Sequence, residues 1–164
     1  MNPTDNIPTF QYFRACVGAV ITNGRNEALA FERRDIPEAW QMPQGGMEQG
    51  EEPLGAIIRE ILEETGIKED DLEFVQEYPD YLTYEIPMEY RTRKTGIGQT
   101  QKWFLFKYSK DVTEINLPKE GEFISWKWMA FSEIINQVVP FKKMIYQFRR
   151  HVSNFFSPEF CFPY

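Results

Sequence analysis

The run from Pro53 to Thr65 constrains this chain more than any other stretch. Leu54, Ile57, Ile58, Ile61 and Leu62 recur at i, i+3, i+4, i+7 and i+8, the spacing of one helix face. Pro53 suits the first helical position and Gly66 the C-terminal cap. At 100° per residue with Leu54 at zero, the apolar stripe centres at about 10° and Glu60, Glu63 and Glu64 fall at about 240°, 180° and 280°. Three carboxylates therefore share one face within a single turn. Like charges at this spacing cost roughly 0.2–0.5 kcal/mol per pair in an isolated helix. They also crowd the last turn, where the helix dipole prefers cations. Two readings stay open: a solvated acidic helix end, or a cation site. With neither His nor Cys nearby, oxygen ligands of this kind select Mg²⁺, Mn²⁺ or Ca²⁺ over zinc.

A chain of 164 residues with 42% apolar and 16% aromatic residues has material for one well-filled core. The expected organisation is a flexible lead-in over 1–12, one domain over 13–157, and an aromatic tail over 158–164. No apolar run reaches the roughly 18 residues that would span a bilayer. Cys16 and Cys161 sit at opposite ends and His151 is the single histidine, which excludes a disulfide framework, a zinc cluster and any mechanism needing two histidines. A cytoplasmic protein is expected, with neither a DNA nor a membrane partner. The net charge of -7 is uneven: residues 1–47 carry -1, 48–80 carry -10, and 81–164 carry +4. An acidic block opposed by basic groups suits a polyanionic substrate bridged by cations.

Strands are expected at Arg14–Thr22, Glu27–Arg33, Glu73–Tyr78, Leu82–Ile86, Lys102–Tyr108 and Phe123–Ala130, with Asn23-Gly24 as a turn and Asp35–Gln44 as a loop. Trp126 and Trp128 are read as alternating, with at most one facing the core. Short and long helices are expected at Ser132–Val138 and from Pro140 to about Phe156. Strands mixed with helices in one domain predict an α/β sandwich around a mixed sheet.

Upstream spacing sharpens the acidic helix. Gly45, Glu51, Arg59, Glu60, Ile61, Glu63, Glu64, Gly66 and Ile67 stand in the register G-x5-E-x7-R-E-U-x-E-E-x-G-U, where U is bulky and apolar. This resembles the Nudix box of the Nudix hydrolases at every fixed position. The resemblance implies the family's α/β/α sandwich and metal-assisted attack of water on a nucleoside diphosphate derivative. It implies Glu60, Glu63 and Glu64 as Mg²⁺ ligands (Mn²⁺ a substitute) with the Gly45 backbone close by, a glutamate as base, and Arg59 bracing Glu51.

The flanks Trp40–Gly46, Gly98–Phe104, Gly121–Phe123, Trp126–Trp128 and Val138–Lys143 are similar to the bacterial RNA pyrophosphohydrolase and dinucleoside polyphosphate hydrolase subfamily. That likeness implies removal of pyrophosphate from 5′-triphosphate RNA, with dinucleoside polyphosphate hydrolysis as the alternative. By position it implies Glu122 as a further metal ligand. Arg14, Arg33, Arg34, Gln99, Gln101 and Lys102 fall beside phosphates, and Val139, Phe141 and Lys142 around a base. Phe141 also begins the last helix's apolar stripe, so core packing competes for it. Thr83, Glu85 and Thr100 replace residues that are commonly basic there, which weakens the pull on an RNA backbone. A non-catalytic nucleotide-sensing module is a third class. Degenerate members of that kind lose a box glutamate, and none is lost here.

Overall fold

The structure, a computed structural model, describes residues 11–143 apart from 24, 26 and 111–114. Its strands are β1 (Phe13–Thr22), β2 (Glu27–Arg33), β3 (Trp40–Gln41), β4 (Gln44–Gly46), β5 (Leu72–Glu85), β6 (Gly98–Tyr108) and β7 (Phe123–Ala130). The helices are α1 (Pro53–Thr65) and α2 (Phe131–Gln137). The strands order as β3-β2-β1-β6-β5, with β4 added to β1 and β7 to β2. β1 runs parallel to β6 from Phe13↔Gly98 to Thr22↔Lys107, and the other pairings are antiparallel.

Strand alternation divides the core in two. Val17, Ala19, Ile21, Leu29, Phe31, Phe104 and Phe106 face α1 and bury Ala56, Ile57 and Ile61. Val20, Ala28, Ala30, Trp103, Leu105 and Met129 face the opposite way and bury Ile134, Ile135 and Val138. Helices thus cover both faces of a mixed sheet, the expected α/β/α sandwich. This double cover is why β1 is buried on every residue from Cys16 to Thr22.

Several expectations are corrected. The stretches at Glu73–Tyr78 and Leu82–Ile86 are one long strand, β5, whose register against β6 slips between Phe74 and Gln76 and between Glu77 and Tyr81. The expected Asp35–Gln44 loop contains β3 and ends in β4. Trp126 and Trp128 both pack on the α1 side, because residues two apart on a strand share a face. Pro140 opens a 3₁₀ turn, Pro140–Lys142. The remainder of that expected helix, His151, the 1–10 part of the lead-in and the 158–164 tail lie outside the described residues.

The buried face of α1 is also rotated from the expected stripe. Leu54 and Leu62 are exposed, whereas Ala56, Ile57, Ile61, Glu64 and Thr65 are buried. The helix rolls so that Glu60 and Glu64 lie against β4, and only Glu63 stays mostly in solvent. The carboxylate face and the packing face therefore overlap.

Candidate active site

The site is built where α1, β4 and the start of β7 converge. A Cβ on Gly45 would overlap the Glu60 carboxylate, so the glycine is the seat into which that side chain fits. Gly46 plays the same part for the guanidinium of Arg14. Main-chain pairing of β4 with β1 holds both glycines in place, Val17 opposite Gly45 and Cys16 opposite Gly46. Glu64 accepts the backbone N–H of Gln44 at 3.2 Å.

Arg59 is hydrogen-bonded across the box. It donates through Nε and Nη2 to both oxygens of Glu51 at 2.8 and 2.9 Å, and through Nη2 to the Gly46 carbonyl at 3.0 Å. Nη1 donates to Glu60 at 2.9 Å and Glu63 at 3.2 Å. Glu51 also accepts the N–H of Glu48 at 2.9 Å, closing the loop before α1. The Arg59 pair, helped by that backbone bond, pulls the Glu51 carboxyl down to about 2.

Glu122 arrives on the Pro118–Phe123 connection. Arg34 grips this connection, donating from Nε to the Gly121 carbonyl and from Nη2 to the Lys119 carbonyl, both at 2.8 Å. Its own N–H meets the Glu122 carbonyl at 2.8 Å, and Phe123 stacks on Phe31 at 5.1 Å. The Gln41 amide donates to Glu122 at 3.3 Å and accepts from Lys142 Nζ at 3.1 Å. Arg33 stands 3.9 Å from Glu122 and makes a two-pronged pair with Asp35.

A chain of side-chain amides backs the cleft. The indole N–H of Trp103 can only donate, and it donates to Gln101 Oε1 at 2.9 Å. That fixes the other end of Gln101 as the donor, to Gln44 Oε1 at 3.2 Å and Gln99 Oε1 at 2.9 Å. Tyr84 donates its hydroxyl to Gln99 at 2.9 Å. Gln101 has no solvent exposure, so it orients Gln44 and Gln99 rather than meeting phosphate itself.

Arg14, Gln44, Gly45, Gly46, Glu60, Glu64, Lys94, Gln99, Glu122 and Lys142 line one cleft of about 220 Å³. The expected Glu60, Glu64, Glu122, Arg14, Gln99 and Lys142 thus come together, with Arg33 at the margin. Glu63 leans outward on Arg59. Arg34 is committed to carbonyls of the Glu122 connection rather than turned into the cleft. Lys102 is separated from it by strand alternation. It projects to the α1 side, where Nζ donates to the Pro79 carbonyl at 3.2 Å, pairs with Glu77 at 3.5 Å and lies 5.1 Å from the Tyr81 ring centre. Val139 is buried in the α2-side core, and the Phe141 side chain is outside the described residues. Two cleft residues escaped the sequence reading. Gln44 sits beside the box glycines, and Lys94 belongs to the basic run Arg91–Lys94.

Burial, with Glu122 and Glu60 close by, pushes the Glu64 carboxyl well above the usual carboxylate range. Burial also raises Glu60, against the opposing pull of Arg59. Lys142 is shifted down to about 8, first by burial and then by Arg33. Carboxylates gathered beside a glycine strand are oxygen donors of the type a hard divalent cation prefers, and such a cation would relieve the repulsion among them. Among the described residues no three acidic, His or Cys side chains converge on one point. Glu60 and Glu63 are both engaged by Nη1 of Arg59.

An α/β/α sandwich with a carboxylate-bearing helix laid on a glycine strand defines the Nudix class. Residues 12–151 match the NUDIX domain family, and the chain belongs to it. It is a Nudix hydrolase, of a family that works with divalent metals. The chain is 41% identical over 151 residues to the RNA pyrophosphohydrolase of Cereibacter sphaeroides, covering 86% of this chain and 93% of that protein. It is 38% identical over 158 residues to Nudix hydrolase 27, chloroplastic, of Arabidopsis thaliana, covering 90% of this chain and 67% of the other. Two solved structures share the fold. The E. coli dihydroneopterin triphosphate pyrophosphohydrolase has a TM-score of 0.68 at 21% identity, over 88% of this chain and 97% of that one. A C. elegans Ap4A hydrolase has a TM-score of 0.65 at 23% identity, over 88% and 98%.

Proposed function

We propose that this protein is a Mg²⁺-dependent RNA pyrophosphohydrolase that converts a 5′-triphosphate RNA end to a monophosphate and releases pyrophosphate. The observation that carries the reading is the make-up of the cleft. Acidic Glu60, Glu64 and Glu122 share it with basic Arg14, Lys94 and Lys142, as a cation-bridged polyphosphate requires. The identity to RNA pyrophosphohydrolases across most of the chain supports the substrate, and the cytoplasm is the proposed compartment.

Glu60, Glu64 and Glu122, with the Gly45 backbone beside them, would hold the cation. When bound, it supplies charge neutralisation on the phosphoryl oxygens and acidifies the attacking water. Arg14 and Lys94 bind the phosphate chain, and Gln99 is held ready beside them by the amide chain. A box glutamate accepts the proton as water oxygen attacks phosphorus and the anhydride P–O bond breaks toward the departing pyrophosphate. Glu51 and Arg59 hold the helix and the glycine strand in register. Arg33, 3.9 Å from Glu122 at the margin of the cleft, is a further proposed phosphate partner. Val139, Phe141 and Lys142 remain the residues proposed for the base, with Lys142 turned inward toward Gln41.

A second reading, hydrolysis of dinucleoside polyphosphates, is favoured by one specific set of contacts. Thr83 is hydrogen-bonded to Thr100 at 2.9 Å and Glu85 pairs with Arg91 at 3.0 Å, so this flank presents little free positive charge.

The test offers a short 5′-triphosphate RNA and diadenosine tetraphosphate together in Mg²⁺ and compares kcat/KM. Preference for RNA, leaving a monophosphate end, supports the first reading. Preference for the dinucleotide replaces it with the second. A Glu64→Gln variant should lose turnover by orders of magnitude; full activity in that variant would overturn the metal assignment.

A further inference from the structure

Beside the cleft, the connection between β5 and β6 forms a closed loop whose surface the mechanism above does not use. The N–H of Ile86 donates to the Ile97 carbonyl at 2.9 Å and closes the neck. Arg91 donates from Nε to the Ile86 carbonyl at 2.7 Å and pairs with Glu85, bracing the interior. The Thr92–Thr95 turn is tied by a 2.8 Å bond from the Thr92 N–H to the Thr95 hydroxyl. Tyr12 is fastened across the loop. Its carbonyl accepts the N–H of Ile97 at 3.0 Å, its hydroxyl donates to the Arg93 carbonyl, and its ring lies over Gly96. A Cβ at Gly96 would stand 2.9 Å from that ring, and its φ of +63° also favours glycine.

On this rigid support the outward side chains are aromatic, apolar and basic. Tyr90 is 59% exposed, Met88 57% and Tyr12 44%. Arg93 and Lys94 are also exposed, and Lys94 is the residue that lines the cleft. Flat rings interleaved with cations, continuous with a polyphosphate site, are the elements of a single-stranded nucleic-acid platform. Rings meet bases irrespective of sequence, and cations meet the phosphates between them. Glu89 is exposed on the same loop and opposes the two cations, so stacking rather than net charge must supply most of the attraction.

We propose that Tyr12, Met88, Tyr90 and Arg93 form a stacking platform for the single-stranded nucleotides that follow the hydrolysed 5′ end, with Lys94 joining platform to cleft. The proposal rests on the RNA reading and extends it: the enzyme grips several nucleotides of a chain beyond the terminal phosphates.

The experiment compares kcat/KM for 5′-triphosphate RNAs of two and eight nucleotides and for diadenosine tetraphosphate. It uses the intact protein and a Tyr90→Ala, Arg93→Ser double variant. Both side chains point outward, and the backbone carbonyl of Arg93 that Tyr12 uses is retained. The unaltered protein should favour the longer RNA by about 10-fold, and the variant should lose that gain. The two-nucleotide RNA and the dinucleotide should change by less than about twofold. Salt sensitivity on the longer RNA should fall by roughly 0.7 in log–log slope, one phosphate contact. An active enzyme with no length preference, or a variant that keeps the preference, overturns the platform and leaves the RNA reading intact. Cleavage of the dinucleotide with no triphosphate RNA cleaved overturns both.

Discussion

Replacing Gly45 by alanine tests the central feature of the site. The backbone accepts the change, since Gly45 is not among the described glycines with positive φ, which are Gly50, Gly66 and Gly96. The added methyl would overlap the Glu60 carboxylate, and that side chain has little room to yield, being 14% exposed and pinned by Arg59 at 2.9 Å. Glu60 must turn away, at an overpacking cost of about 1–3 kcal/mol. If Glu60 is the metal ligand proposed, displacing it should weaken cation binding at least as much as disturbing a ligand's support, about 10–100-fold. That corresponds to roughly 1.4–2.7 kcal/mol. Half-saturating Mg²⁺ in a kcat/KM titration should therefore rise by about 10–100-fold, with Mn²⁺ binding by calorimetry falling in parallel. Gly46→Ala is the internal control. Its methyl meets Arg14 instead, so it should raise KM for the polyphosphate and leave the metal requirement alone. An unchanged Mg²⁺ midpoint in Gly45→Ala, or the same shift in both variants, would refute the assignment of Glu60 to the cation.

The buried Glu64 charge destabilises the fold without metal. For a carboxyl whose folded pKa is raised, the penalty is absent in acid, grows as pH rises above the ordinary 4.5, and is complete once pH passes the elevated value. Glu64→Gln should accordingly stabilise the metal-free protein at neutral pH by about 1–2 kcal/mol in chemical denaturation, while abolishing turnover. Glu51 has the opposite sign: its stabilisation is present above its ordinary 4.5 and is lost as pH falls toward about 2. Arg59→Gln should flatten that acid dependence in a pH series of thermal melts. Gln101→Leu would remove the buried bonds from the Trp103 N–H and to Gln44, costing about 1–3 kcal/mol by denaturation and lowering kcat through a loosened Gln44. Lys102→Met should leave kcat/KM within about twofold, since its ammonium is held by the Pro79 carbonyl and Glu77 and does not line the cleft; a large rise in KM would restore it to the phosphate site.

The sandwich and the box could be read from local pattern because both depend on period and spacing. The Pro53–Thr65 helix and its Gly66 cap appear where spacing puts them, and the Glu51–Arg59 pair where the family resemblance does. The roll of α1 could not be read that way. A wheel centred on Leu54 assumes that apolar residues define the packed face, whereas the small Ala56 and the glycines of β4 let carboxylates share it. Arg34 was hidden for another reason: its partners are backbone carbonyls at Lys119 and Gly121, which no residue letter displays. The contrast between Gln101 and Lys102 was available from strand alternation alone. Lys94 was not, because a loop of this length has no fixed spacing to the box.

The ladder between β4 and β1 has a consequence for how this chain can vary. The seat of Glu60 is located by peptide groups, with Cys16, Val17 and Gly18 opposite Gly46, Gly45 and Gln44. Peptide hydrogen bonds are indifferent to the side chains that flank them. The inner strand can therefore exchange one apolar residue for another without moving the floor of the cleft, so long as the two facing glycines remain. Sequence drift in the core and constancy of the chemistry are in this way decoupled by the main chain.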